Sequence, residues 1–545
     1  MAFSKVTDKS IPHRLELFGD PVVIWWDHTT ESWAAMLDSC PHRLAPLSEG
    51  RVDEEGLIEC PYHGWSFDRA GTCTKVPQAK EPSDPRMLTR CGGTAFAVAE
   101  KQGIVWLWGE PLNFSPPDTS GASRAASGFA LPDESAIPTC EALDDDRFVW
   151  IDVSRDMPYS ADMLLENVLD SSHVPFTHHQ TISRRENAVP LELRLRAPVS
   201  AAGFEGVQAA APPLPSAGVS SAVASAATER TSVFRAPTYM HHRIRTAPAR
   251  AAGAPTEAGT PTEADFARGF ETWTVAYATP TGPGRCRLLA RFPFRFPEPA
   301  RRSGLLGRLL PTLNVPKMVF QRLPDWVQHM GQLRVLDDDN VFLPLQERAV
   351  GARPGGWRAN YVMPTTADAY VSAYRRWFDA AGPPPHAPHA VDTLQAALSA
   401  APLDKAALLD RHSQHTAHCT ACSGALANAR TLANLARRLL LAMLALTPWV
   451  ATRCAPAAAA AAAQLAAASG ARSVVAAIGA LVVAARPLLA AGTAAAMLGA
   501  GRSLALSIER RLTSGLSEYP PPRNQPAGSK MNARELRTVE QGRRS

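Results

Sequence analysis

The chain has 545 residues, room for two to four domains, and its 56 Lys and Arg against 51 Asp and Glu leave a formal charge of only +5. That balance argues against nucleic acid as the main partner. Nine cysteines are too few for a disulfide scaffold, and four of them fall in C-x-H, C-x2-H and C-x2-C groups, the pattern of metal binding or redox work in a reducing compartment. All but one of the 12 Trp lie at or before Trp377, which places the packed cores in that part of the chain.

Residues 1–20 have no apolar core and no small-residue cleavage site, so they are no signal peptide, and their mixed charge does not suit a transit peptide. Either the mature protein starts here or a presequence lies upstream. Val22-Val23-Ile24-Trp25-Trp26 reads as a buried strand ended by Asp27 and His28. Ala95 to Trp108 reads as a hairpin turning at Lys101-Gln102-Gly103. Residues 1–114 are thus a small all-β module with Cys/His pairs in its loops, and 115–141 are a Pro/Ser/Gly/Ala-rich linker. Residues 142–382 mix strands with helices. Phe148–Val153 and the alternating Leu191–Arg196 are strands, Ser160–Ser172 is a helix, and Glu271–Ala278 with Arg285–Phe292 forms a hairpin. Thr366–Ala381 is an amphipathic helix stopped at Gly382. Ala/Pro/Ser/Thr tracts at about 208–229 and 247–265 read as disordered surface insertions. The fold class is α+β.

Residues 383–430 read as a linker carrying Cys419 and Cys422, 431–508 as an Ala/Leu-rich helical region, and 509–545 as a polar, solvated tail. The uncharged run Leu439–Thr452 is only fourteen residues, short of the ~20 a spanning helix needs. Val474–Gly501 is longer but broken by Arg486 and Pro487. A soluble Ala-rich tail and a membrane hairpin of two short or tilted helices both fit; the hairpin is preferred.

Two constellations carry the chemistry. Cys40-Pro41-His42, seventeen residues, then Cys60-Pro61-Tyr62-His63 has the ligand spacing of a Rieske [2Fe–2S] centre. Cys40 and Cys60 would share one iron, His42 and His63 the other. Imidazoles donate less charge than thiolates, which raises the potential to roughly −150 to +300 mV. Pro41 and the Gly64 turn would keep the loops tight, with Tyr62 and Trp65 as an apolar wall or sulfur-directed donor. A zinc site also takes two Cys and two His, but zinc fingers pair like with like, whereas each pair here is mixed and lies among strands. The second constellation is Asn167-x2-Asp170-x2-His173-x4-His178. Asp170 and His173, three apart, would share a helical face, and Pro175 would end that helix and let His178 swing back. Two imidazoles then need one carboxylate to make a facial triad, a set that favours non-haem Fe(II) and leaves positions open for O2. Asp337, Asp338 and Asp339, after the largely apolar Trp326–Leu336, are the candidates, with Asp339 preferred. His241-His242 is a rival pair without an acidic companion. A one-electron relay beside an O2-activating iron makes an oxygenase.

The runs CPHRLAPLSEG (Cys40 to Gly50), CPYHGWSF (Cys60 to Phe67) and GTCTKVPQA (Gly71 to Ala79), with Leu165-Glu166-Asn167 through His178, resemble the pheophorbide a oxygenase group of chloroplast Rieske oxygenases. That group also holds protochlorophyllide-dependent and inner-envelope translocon-associated Rieske proteins and, more distantly, chlorophyllide a oxygenase. The resemblance covers about residues 11–510 outside the two tracts. It implies an all-β Rieske domain, a helix-grip α+β catalytic domain, and membrane-associated C-terminal helices in a thylakoid or inner envelope membrane. It implies one [2Fe–2S] cluster and one mononuclear non-haem Fe(II) per subunit, reduced ferredoxin as donor, O2, and a chlorophyll-derived tetrapyrrole as substrate. For pheophorbide a the chemistry is ring opening to a red catabolite; a chlorophyllide is the other substrate considered.

The resemblance further implies catalytic roles for Asn167 and Asp170. Asp170 would bridge a Rieske histidine of the neighbouring subunit to an iron histidine of its own, hence a head-to-tail homotrimer. Asp339 would be the third iron ligand, ahead of Val341-Phe342-Leu343 to Gln346, with Asp338 the lesser candidate. Cys419 and Cys422 match a thiol pair that serves thioredoxin, against readings as inert thiols or as zinc ligands with His415 or His418. The group has more chain before its Rieske domain, so a truncated N-terminus without its transit peptide is expected. The rival function is a redox-sensing envelope protein associated with protein import, whose cluster and Cys419/Cys422 report stromal redox state. The complete His173, His178 and Asp339 set argues for the enzyme. An electron carrier like the bc-complex Rieske proteins fails on length and on the second site.

Overall fold

The computed structural model describes residues 2–81, 84–111, 133–209, 228–248, 262–297, 314–382, 400–519 and 521–524. They fall into two compact units, Met1–Asp410 with Glu518–Ser545, and Arg411–Ser517.

The first unit opens with ten strands: β1 (Ala2–Phe3), β2 (His13–Leu17), β3 (Asp20–Asp27), β4 (Ser32–Leu37), β5 (Arg51–Val52), β6 (Ile58–Glu59), β7 (Ser66–Phe67), β8 (Cys73–Lys75), β9 (Ala95–Lys101) and β10 (Ile104–Pro111). They make a six-stranded sheet, β1-β10-β9-β4-β3-β2, and a four-stranded one, β5-β6-β7-β8. The expected strand at Val22–Trp26 is the centre of β3. Val22 to Trp25 are buried consecutively because both faces of the sheet are covered: Val23 and Trp25 pack with Ile58 and Phe67, while Val22 and Ile24 pack with Trp33 and Val105. The β9–β10 hairpin turns where expected, and Gln102 and Gly103 both take positive φ, 50° and 71°, as a two-residue hairpin turn requires.

A seven-stranded antiparallel sheet follows, built from β11 (Val149–Met157), β12 (Leu193–Leu195), β13 (Gly203–Gln208), β14 (Thr228–Arg235), β15 (Tyr239–Thr246), β16 (Phe270–Gly282) and β17 (Arg285–Arg295) in the order β11-β17-β16-β15-β14-β13-β12. Phe3, Ile104 and Trp106 of the first module pack against Tyr239, Tyr277 and Leu289 of this sheet. Other side chains of the sheet, among them Phe204 and Phe234, pack on Tyr370, Tyr374 and Trp377 of the helix Ala369–Ala381, which stops at Gly382 with φ +80°.

The Ala/Pro/Ser/Thr tracts are shorter than composition suggests. Gln208 pairs with Arg230, and Glu229 with Arg245, so both ends of the first tract are strand. The second ends in the helix Glu263–Arg268, started by a reciprocal Thr262–Asp265 cap. Residues 210–227, 249–261 and the linker stretch 112–132 lie outside the described residues. The expected helix Ser160–Ser172 is also shorter. It spans Ala161–Leu169, and Asp170 follows in an extended conformation (φ −81°, ψ 105°).

The second unit is two long helices, Thr420–Ala466 and Ala471–Thr513, packed against each other. The fourteen-residue apolar run lies inside the first, and Arg486-Pro487 does not break the second. A proline removes one backbone donor, and a long, packed helix continues past it. Their most apolar stretches have mean hydropathies of 1.4 and 2.2, long and apolar enough to cross a membrane. Leu444, Trp449, Val475, Leu489 and Met497 on them are 60–70% exposed. The tail expected at 509–545 is not all solvated, since the helix continues to Thr513 and Leu512 is fully buried.

One buried cation fixes the helix that leads into the second constellation. Arg375, on Ala369–Ala381, bonds Glu166 through Nε and Asp162 through Nη1 (2.7 Å), both on Ala161–Leu169. Burial pushes the Glu166 carboxyl up and Arg375 holds it down. Arg375→Met leaves two largely buried carboxylates without their cation and should cost about 3–5 kcal/mol. Urea denaturation of the purified protein checks this; a loss below about 1 kcal/mol would show that the ion pairs contribute little.

Candidate metal centres

The two Cys/His loops are held by the same hydrogen bonds. Cys40 N–H donates to the Ala45 carbonyl (2.8 Å), and the Cys40 carbonyl accepts from Leu44 N–H (2.8 Å). Cys60 N–H donates to the Trp65 carbonyl (2.8 Å), and its carbonyl accepts from Gly64 N–H (3.0 Å). Each loop therefore closes at a left-handed residue, Leu44 at φ +60° and Gly64 at φ +70°. Glycine removes the Cβ clash at the second position; Leu44 carries it at the first.

These loops bring the four predicted residues together. Cys40 and Cys60 are buried, and the His42 and His63 rings lie 4.6 Å apart. Trp65 stacks flat on His42 at 4.5 Å, the expected wall, whereas Tyr62 is 61% exposed beside His63. Gln78 donates to the His63 carbonyl (2.8 Å). Burial raises the Cys40 thiol, and backbone N–H groups of His42 and Arg43 oppose that shift. His42 Nδ1 is buried with no hydrogen-bond partner among the described residues. Two thiols and an orphaned imidazole nitrogen are the donor set an iron–sulfur cluster of Rieske type would use.

The second constellation converges by a different local geometry from the expected one. Asp170 and His173 do not share a helical face. Asp170 caps one helix, and His173 caps the next, a single turn over Val174–Thr177 with Pro175 at its start. His173 and His178 thus bracket that turn, and their Nε2 atoms lie 3.3 Å apart. Asp339, near the end of the helix Asp325–Asn340, places Oδ2 3.5 Å from His178 Nε2. Bonds of roughly 2.1 Å at right angles place two donors about 3 Å apart, so these three atoms can hold one small cation. Burial raises the Asp339 carboxyl, and the two histidines oppose the shift.

The other ring nitrogens face polar partners. His173 Nδ1 meets the Asp170 carbonyl (2.5 Å), and His178 Nδ1 meets Asp338 Oδ2 (3.3 Å). Asn167 Nδ2 reaches Asp339 Oδ1 at 3.5 Å. Asp338 therefore stands behind His178, not among the three converging donors. Its other oxygen accepts from Arg523 (3.0 Å), and Asp337 pairs with the fully buried Arg155 (2.7 Å). Sequence reading missed Arg523 by placing it in a solvated tail. Its only sequence signal is that three adjacent buried acids need cations.

The rival pair His241-His242 is occupied structurally. His241 bonds the Tyr239 hydroxyl (2.8 Å), and burial lowers its pKa to about 3. His242 bonds Ser232 (2.6 Å) and the Val168 carbonyl (2.7 Å), bracing the helix before Asp170. Cys419 and Cys422 are buried in the second unit beside His415, whose Nε2 lies 3.3 Å from Cys422 Sγ. His418 is exposed.

Residues 1–96 match the Rieske [2Fe-2S] domain family, and residues 234–357 match the family described as pheophorbide a oxygenase. The chain is 30% identical over 435 residues to pheophorbide a oxygenase, chloroplastic, of Oryza sativa subsp. japonica, covering 77% of this chain and 70% of that protein. It is 29% identical over 432 residues to flavonoid 8-hydroxylase 2, chloroplastic, of Ocimum basilicum, covering 76% and 70%. Among solved structures, dicamba monooxygenase bound to dicamba is 20% identical with a TM-score of 0.46, over 69% of this chain and 96% of that one. The chain belongs to the pheophorbide a oxygenase family of Rieske oxygenases, enzymes that carry a [2Fe–2S] cluster and a non-haem iron.

Proposed function

We propose that this chain is a ferredoxin-dependent chloroplast oxygenase acting with O2 on a chlorophyll-derived tetrapyrrole, pheophorbide a or a chlorophyllide. The convergence of His173 Nε2, His178 Nε2 and Asp339 Oδ2 carries the reading, because a redox sensor has no need of a second iron site. The cluster supplies single electrons, and the iron supplies open positions at which O2 is activated. Cys40, Cys60, His42 and His63 hold the cluster; His173, His178 and Asp339 hold the iron. Asp338 and the Asp170 carbonyl keep each iron histidine turned with Nε2 inward. Asn167 steadies Asp339.

The Asp170 carboxylate faces partly outward, 28% exposed, which suits a bond to a Rieske histidine of a neighbouring subunit in a head-to-tail homotrimer. Leu44 and Tyr62, exposed on the cluster loops, offer that neighbour apolar contacts. The two long apolar helices anchor the enzyme in a thylakoid or inner envelope membrane. The chloroplast relative that acts on pheophorbide a supports the substrate class, and the flavonoid hydroxylase sets the competing one.

Four measurements test this. Purified protein with reduced ferredoxin and O2 is incubated with pheophorbide a, chlorophyllides and a flavone. Oxygen added to a tetrapyrrole, read by mass, is expected; oxygen added only to the flavone, or to none, overturns the reading. Asp170→Asn should abolish turnover while the cluster signal and the iron content persist, and full activity would remove the bridging role. Asp339→Asn should empty the mononuclear site, whereas Asp338→Asn should weaken iron by about 10–100-fold, the usual loss for a residue behind a ligand. The reverse order would make Asp338 the ligand. Because burial raises the Asp339 pKa, a proton competes with the metal as pH falls toward that raised value, so iron affinity should decline there.

A further inference from the structure

We propose that His415, Cys419 and Cys422 bind one Zn(II), at a site separate from both iron centres. The Nε2 of His415 and the two sulfurs lie within 4.8 Å of one another, and His415 Nε2 is 3.3 Å from Cys422 Sγ. Zinc bonds of about 2.3 Å to sulfur and 2.0–2.1 Å to imidazole, at the tetrahedral angle, set donors roughly 3.6–3.8 Å apart. The three residues therefore need only small shifts to close on the metal. His415 is 2% exposed, Cys419 1% and Cys422 0%. Neither cysteine is in a disulfide.

The donors are anchored before any metal arrives. Cys419 starts the helix Thr420–Ala466, and Cys422 sits in its first turn. The segment carrying His415 is tied to the end of the other long helix: Thr416 Oγ1 donates to the Leu512 carbonyl (2.6 Å), and Arg411 donates to the Arg511 carbonyl (2.6 Å). Anchored ligands lose little freedom on binding. Two thiols and one imidazole with no carboxylate among them suit zinc and not magnesium, and a single ion here makes zinc the natural occupant. Binding displaces the two thiol protons and leaves a fourth position for water or a ligand from outside the set. A pair held this way is a metal site rather than a dithiol cycling through a disulfide.

The full chain, purified anaerobically in detergent, should hold one zinc per chain beyond its iron. Replacing that metal with cobalt(II) should give thiolate-to-cobalt charge-transfer absorption. The His173, His178 and Asp339 site has no sulfur and cannot produce that band. The band should disappear in C419S/C422S, persist in C40S/C60S, and show more than about 10-fold weaker cobalt affinity in His415→Gln. The Rieske spectrum of C419S/C422S should match that of the parent protein. Absence of the band from the parent chain, its persistence in C419S/C422S, or a Cys419–Cys422 disulfide in the anaerobic protein would each overturn the proposal.

Discussion

Three consecutive carboxylates buried at one helix end cannot all remain ionised without separate positive partners, and the catalytic half of this protein is arranged around that constraint. Asp337 pairs with Arg155 from β11, which locks the helix Asp325–Asn340 to the sheet. Asp338 pairs with Arg523, from a segment that follows both long helices in the chain. Asp339 has no arginine among the described residues; it meets His178 and Asn167. Burial raises its pKa, so in the apo protein its negative charge is under-compensated. A divalent cation held between Asp339 and the two imidazoles would supply the missing charge. The same logic recurs one helix away, where Arg375 serves Glu166 and Asp162 together. Charge compensation thus fixes both ends of the metal-binding segment before any metal arrives.

Ring orientation follows from those partners. Which nitrogen an imidazole turns toward a metal is set by the hydrogen bond its other nitrogen makes. His178 commits Nδ1 to Asp338, and His173 commits Nδ1 to the Asp170 carbonyl, so both Nε2 atoms face the same point. At the other centre the partnerless atom is His42 Nδ1, and its ring is fixed by the flat stack on Trp65. The two constellations hold their rings by opposite means, with polar partners behind His173 and His178 and an aromatic stack on His42.

How much of this was legible in the sequence depended on range. That Cys40, His42, Cys60 and His63 would come together was readable because each pair sits in one short loop, and loops of this kind close by hydrogen bonds between residues four or five apart. The strand Val22–Trp26, the hairpin Ala95–Trp108 and the Ala369–Ala381 helix were readable from pattern alone. The helix before His173 was misjudged because apolar spacing at Met163, Leu164, Val168 and Leu169 says nothing of where the backbone leaves αR, and Asp170 leaves it. The two tracts were overextended because their edges are polar strand residues whose partners lie across the sheet. The preference for Asp339 over Asp338 came from the resemblance; that Asp339 faces His178 Nε2 and Asp338 faces His178 Nδ1 is something no spacing rule encodes. Arg523 was invisible because its partner is 185 residues away.

The backbone and the side chain of Asp170 face different partners. Its carbonyl, not its carboxylate, holds His173, because the residue has left the helix and its main chain points at the ring. The carboxylate is thereby released from its own iron site: Oδ1 accepts from Ser172 N–H (2.7 Å) and Ser172 Oγ (2.5 Å), while Oδ2 stands 3.9 Å from His173 Nδ1. Had Asp170 continued the helix, its carboxylate would have lain alongside His173 and been consumed there. The helix ending at Leu169, braced by His242 on the Val168 carbonyl, is what divides the residue between a backbone atom that orients a ligand and a side chain that can meet another partner. An asparagine keeps the first function intact and removes only the charge from the second, so the two contributions are separable by experiment.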